Sequence, residues 1–271
     1  MTTFCNQEFN AADSPARTAA TASTGVLLVL MIPALIASGI DPRLFNGANL
    51  WAKPFHFLLA MSIHLATLIV FIPLLKPEWH GARPIRWATL AASVSAVLEV
   101  AFLSFQAARG RASHFNDTTP IEAAAYGVMG IGSLLLVLSS AILGWAVLRH
   151  ARADIGPGLK AGVAVGLLLG SAATVITAGY MSALPGHLIG GPLTDAFGLP
   201  VLGWATRGGD LRVPHFFATH AMQALPIAGL ILDRIGMSGV RWMMPTIALA
   251  YFTLVAALFR QALMGLPLIP M

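Results

Sequence analysis

Glu99, His64 and His220 are where chemistry would centre, because each is an ionisable side chain deep inside a long apolar segment. Such groups are costly in a membrane and mark function by default. At 1.5 Å of rise per residue, Glu99 lies about 15 Å below Arg109, His64 roughly 16 Å below Lys53, and His220 about 12 Å below Arg212. The three share one layer. A carboxylate and imidazoles at matched depth suit a metal ion, haem iron or proton transfer.

A shallower layer lies above it. Three His-Phe pairs, His56-Phe57, His114-Phe115 and His215-Phe216, each sit where a polar junction meets an apolar run, and His187 accompanies them. Among them lie Asp210 and the cations Lys53, Arg109 and Arg212, of which the arginines suit carboxylates or phosphates. The candidate roles follow from residue type. Glu99 and Asp210 are the acid–base groups, and Lys53, Gln106, Arg109, Arg212 and Gln223 would hold a ligand or cofactor. His64, His114, His187, His215 and His220 are the metal-ligand candidates. On the third segment Ser95, Glu99, Gln106 and Gly110 form one helical stripe, continued by Ala92 and interrupted by Leu103. His215 and His220 are five residues apart and point about 140° from each other on a straight helix, a poor pair for one ion.

Structural roles compete with these. A histidine at a helix end can simply bond a loop carbonyl, and Glu99 can pair with Arg260. Thr119-Pro120-Ile121-Glu122 reads as a capping box, which makes Glu122 structural. Arg207 and Arg212 can anchor to headgroups, and Trp51, Phe57, Phe115, Trp204 and Phe216 fit an interfacial aromatic belt.

The elements that must position these residues are membrane helices. The chain is 57% hydrophobic and 10% charged, against about 25% charged in a soluble domain. Seven runs are long enough to cross a bilayer: about 24–40, 54–75, 86–108, 120–148, 159–184, 213–232 and 244–264. The fold class is therefore all-α, a polytopic bundle of seven transmembrane helices, with a polar segment over 1–23 and the membrane domain over 24–271. Seven crossings put the three His-Phe junctions on one side, here side Y. Side X carries the N-terminus and a slight excess of Lys and Arg, which points to X as cytoplasmic and Y as periplasmic, in an inner membrane. The Gly- and Pro-rich junction at about 185–212 has the length of a lid or binding loop. Pro54, Pro120, Pro214 and Pro245 suit first turns, Pro226 should kink the sixth span, and Gly166 with Gly170 suits close helix packing. The single cysteine, Cys5, excludes an intrachain disulfide. Arg17 ahead of the first apolar run resembles a retained signal anchor.

The chain resembles a family of bacterial seven-helix membrane proteins with no assigned activity. The resemblance is carried by Gln106-Ala107-Ala108-Arg109-Gly110, Ser113-His114-Phe115-Asn116 and Thr119-Pro120. It continues through Gly198-Leu199-Pro200, Gly203-Trp204 and Gly208-Gly209-Asp210-Leu211-Arg212 to His215-Phe216, His220 and Gln223-Ala224-Leu225-Pro226. It covers most of residues 50–230 and implies the seven-helix fold. It favours His114, His187, His215 and His220 over the span-two histidines His56 and His64.

Three functions fit these residues. The first is a membrane redox protein holding haem b or a histidine-bound Cu, Fe or Zn, with His64 and His220 as a haem pair or His114, His187 and His215 as a metal set. The second is a metal-dependent intramembrane hydrolase of lipid-like substrates, with Glu99 or Asp210 as base; the chain lacks a His-Glu-x-x-His motif. The third is a non-enzymatic sensor, transporter or assembly subunit. Partners are the bilayer and a small molecule, lipid or redox protein; no basic run suggests nucleic acid. The seventh span has no deep lysine for a retinal Schiff base.

Overall fold

The described residues form a bundle of seven helices, each long and apolar enough to cross a membrane. The structure was obtained as a computed structural model that describes residues 14–236 and 239–271; Cys5 and the first part of the polar N-terminal segment lie outside these. The helices are α1 (Pro15–Ile40), α2 (Ala52–Phe71), α3 (Arg83–Ala108), α4 (Pro120–His150), α5 (Pro157–Ser182), α6 (Arg212–Arg234) and α7 (Val240–Leu263). Two two-stranded ladders, β1 (Leu44–Phe45) with β2 (Ala48–Asn49) and β3 (Leu188–Ile189) with β4 (Gly209–Asp210), both lie on side Y.

Helix α1 begins at Pro15, well before the apolar run. Ser14 accepts from the Arg17 backbone and Pro15 presets the first turn, so the cap starts the helix. Likewise α7 begins at Val240, which moves Pro245 from a first-turn position into the helix. Helix α6 runs through Pro226 as one element; the proline has no N–H, so the Met222 carbonyl goes without its usual partner.

Sequence neighbours pack side by side, and α1 lies against α2 and α3. The closest approach is between α5 and α6. Gly158, Gly162, Gly166 and Gly170 form a row spaced by four on α5, so one face is bare of side chains. A Cβ at Gly162 would lie 2.4 Å from the Leu225 carbonyl oxygen, and at Gly166 2.6 Å from that of Ala221. The glycine row thus admits the α6 backbone itself. Asp233, near the end of α6, closes the arrangement by accepting from the backbone N–H groups of Gly158 and Leu159 at 2.8 and 2.7 Å, a carboxylate at a helix N-terminus. Helices α2 and α6 come together differently, through side chains.

Candidate functional site

The polar residues of side Y are gathered under a roof built from two loops. Asn46 and Gly47 make the turn of the β1–β2 hairpin, both with positive φ, 51° and 83°, the two-residue turn such a pair favours. The Asn46 carbonyl accepts from the Asp195 N–H and the Thr194 hydroxyl, both at 2.8 Å, while its side-chain amide donates to the Asp195 carboxylate at 2.8 Å. Gly47 cannot carry a side chain here: a Cβ would meet Thr194 Oγ1 at 2.7 Å. The hairpin is thereby fastened to the long 185–211 segment.

Asp195 is the centre of the fastening, and sequence reasoning missed it. Its carboxylate also accepts from His187 Nε2 and Arg212 Nη2, each at 3.0 Å. Arg212 in turn grips Asp210, with Nε 3.0 and 3.1 Å from its two oxygens and Nη2 2.8 Å away, and donates to the Gly203 carbonyl at 2.7 Å. Asp210 is 2% exposed, and its oxygens accept from the Ala205 and Arg212 backbones as well. His187, Asp210 and Arg212 are thus brought together, as a set of bonds that hold the roof.

Burial works against ionisation of Asp195, but the His187 hydrogen bond and the Arg212 cation outweigh it and bring its pKa down to about 2. The unfolded chain takes up this proton near pH 3.9. The stabilisation is therefore complete above about pH 4 and is lost as the pH falls towards 2. Brief pepsin digestion should spare the 185–211 segment at pH 4 and cut it at pH 2, with Asp195→Asn cut at both; equal cutting of the wild type at the two pH values would refute the latch.

Lys53 lies beneath the roof at the start of α2. Its side chain keeps much of its surface open, yet protein surrounds it closely enough that Glu99, Asp195 and Arg212 all act on its charge; it lines a cleft. Its ammonium stands 6.0 Å from the centre of the Phe57 ring, and the other neighbour of that ring is His114, at 5.4 Å between centroids. Burial, then the Lys53 cation, holds the His114 imidazole well below its ordinary pKa. His56, one turn along α2, meets the Val201 backbone of the roof.

Glu99 sits midway along the polar stripe of α3. It is 4% exposed; Oε1 accepts from Ser133 Oγ of α4 at 3.0 Å, and Oε2 is buried with no hydrogen-bond partner among the described residues. Among the described residues Glu99 makes no ion pair with Arg260. Ser95, Gln106 and Ala92 of the same stripe are buried, and so is the interrupting Leu103.

The remaining histidines turn to separate partners. His64 Nε2 lies 3.4 Å from Ser139 Oγ, which donates to the Leu136 carbonyl. His215 Nδ1 is 3.2 Å from Thr177 Oγ1, whose proton goes to the Ala173 carbonyl. His220 Nδ1 is 3.1 Å from Gln223 Oε1. Each hydroxyl has committed its proton, so it accepts from the imidazole, which sets the tautomer. Among the described residues no three His, Cys, Asp or Glu side chains are placed to hold a metal ion.

Gln106 and Arg109 serve a local latch. Gln106 donates to the Ala112 carbonyl and accepts from Arg109 at 2.9 Å, while Arg111 pairs with Glu122 at 2.7 Å. Thr119 Oγ1 accepts from the Glu122 N–H as a capping box requires, but the Glu122 carboxylate is taken by Arg111 and Thr118. Together these bonds fold the 109–119 loop over the end of α3. No known protein family, characterised protein or solved structure matches the chain.

Proposed function

We propose that this multi-pass membrane protein takes a small ligand from side Y into the cleft beneath the roof and couples its binding to the proton on Glu99. The observation that carries this reading is a carboxyl group, almost wholly enclosed, with one oxygen held by Ser133 and the other bare. A buried polar group without a partner is costly, and the cost is removed by a proton or a donor on a ligand. Lys53, open to the cleft and acting on both Glu99 and Asp195, supplies the charge that draws an acidic ligand inward. The slight excess of Lys and Arg on side X orients the cleft towards the periplasm. A proton-linked carrier and a ligand sensor both use such a site.

Glu99→Gln keeps a group able to accept from Ser133, so the bundle should assemble. Infrared difference spectra of the protein in liposomes, recorded across a pH step, should contain a carboxyl band that Glu99→Gln removes and Lys53→Met displaces. Spectra that Glu99→Gln leaves unchanged would end this reading.

A histidine-bound metal or haem is the second reading. In its favour, His215 and His220 both donate through Nδ1 and keep the Nε2 lone pair, the form in which imidazole binds metals. Haem would add a visible absorption band, and a metal would be stoichiometric by elemental analysis; His220→Ala should remove either one. The absence of both signals from protein prepared without chelator would exclude this second reading.

A further inference from the structure

We propose that the face of α6 around His220, beside α2, binds an apolar ring compound carrying a hydroxyl group, with the hydroxyl donating to His220 Nε2. This inference stands apart from the Glu99 reading, because every bond it uses lies on α2 and α6.

The argument starts from the direction of four consecutive groups. The Thr67 hydroxyl donates to the Ile63 carbonyl at 2.7 Å, so its oxygen accepts from Gln223 Nε2, at 2.8 Å. That fixes the Gln223 amide, whose Oε1 must then accept from His220 Nδ1. The proton of the neutral imidazole is therefore on Nδ1, and Nε2 is an acceptor. The relay crosses from α2 to α6 and permits only this tautomer. Among the described residues no group donates to Nε2, and that atom is not sealed inside the protein.

Its surroundings select the partner. His220 is about 12 Å below the start of α6, within hydrocarbon, where water is not at hand to fill an empty acceptor. One turn above, the Phe216 ring leans over the imidazole, with 4.1 Å between centroids and 51° between planes, and remains partly exposed; Trp204 of the roof meets Phe216 edge-on at 5.2 Å. The three rings form a ladder running down from the membrane surface to the acceptor. A molecule that reaches this point is soluble in the bilayer, offers a flat face to Phe216, and gives one hydrogen bond to nitrogen. A phenol or quinol with an apolar tail meets all three conditions.

The test uses the full chain in lipid nanodiscs, with a short-tailed benzoquinol as probe and its dimethyl ether, which has the same ring but no donor. Nitrogen-15 spectra of the histidine-labelled protein should show the Nδ1–H tautomer at His220, and the quinol, not the ether, should shift the Nε2 resonance. The quinol should bind about tenfold more tightly than the ether, the worth of one hydrogen bond. Gln223→Leu, which breaks the relay, should erase that preference. His220 found with its proton on Nε2 would overturn the proposal, as would equal affinity for quinol and ether, the result of partitioning alone. Both of those outcomes are read on the wild-type chain.

Discussion

Gly162→Leu is expected to prevent α5 from docking on α6 and so to abolish the folded bundle in detergent. The leucine has nowhere to go. Its Cβ alone would stand 2.4 Å from the Leu225 carbonyl oxygen and 2.9 Å from the Pro226 Cα, which are backbone atoms unable to rotate aside. Overpacking a core typically costs 1–3 kcal/mol when side chains can shift; here two helices must separate, so a loss of at least about 3 kcal/mol is expected. Gly130→Leu on α4 is the matched control, because among the described residues nothing lies within 4 Å of a Cβ there. Thermal unfolding followed by circular dichroism should find no cooperative transition for Gly162→Leu and a near-native one for Gly130→Leu. A native transition in both would mean that the glycine row does not carry the interface.

The second large effect concerns the roof. Arg212→Met removes the cation shared by Asp210 and Asp195 and leaves Asp210, 2% exposed, without its ion-pair partner. Breaking a buried pair from one side costs about 3–5 kcal/mol. The loss should be local, since the helices keep their own contacts: amide exchange should rise sharply over 185–211 and the 44–49 hairpin and stay near wild type in α5 and the lower half of α6. The pair Arg212→Met with Asp210→Asn should recover part of the protection, because the more deeply buried of the two carboxylates is then no longer a bare charge. Exchange left unchanged in both segments by Arg212→Met would show that the roof is held by its backbone bonds alone.

How much of this was legible in the sequence depended on the distance over which the signal acts. The seven spans, and the stripe that buries Ser95, Glu99 and Gln106, follow from local periodicity. The N-terminal extent of α1 does not, because after Pro15 residues 16–23 are alanine, threonine and serine with one arginine, helix-compatible but without an apolar run. The side-Y histidines could be assigned to one face by counting crossings, but their partners could not be read, since each is a hydroxyl, amide or carboxylate fixed only by packing. Asp195 shows this most clearly. It sits in a loop with no periodicity, and its partner Asn46 is 149 positions away. The Asn46-Gly47 turn dipeptide was the visible clue, though it announces a hairpin and not what the hairpin touches.

The span between those two partners governs when the site can close. Asn46 is synthesised and placed in the membrane early, together with α1 and α2, but Asp195 and the Arg212 that braces it exist only once α5 is threaded and α6 begins to enter. Until then the ends of α2 and α3 stand uncovered on side Y, with Lys53 open from above. Closing the loop also requires ordering a long stretch of chain, which makes it a late event in folding. Biogenesis therefore includes an interval during which the cleft is an open basin, and whatever occupies it before the hairpin fastens is enclosed without passing the finished roof.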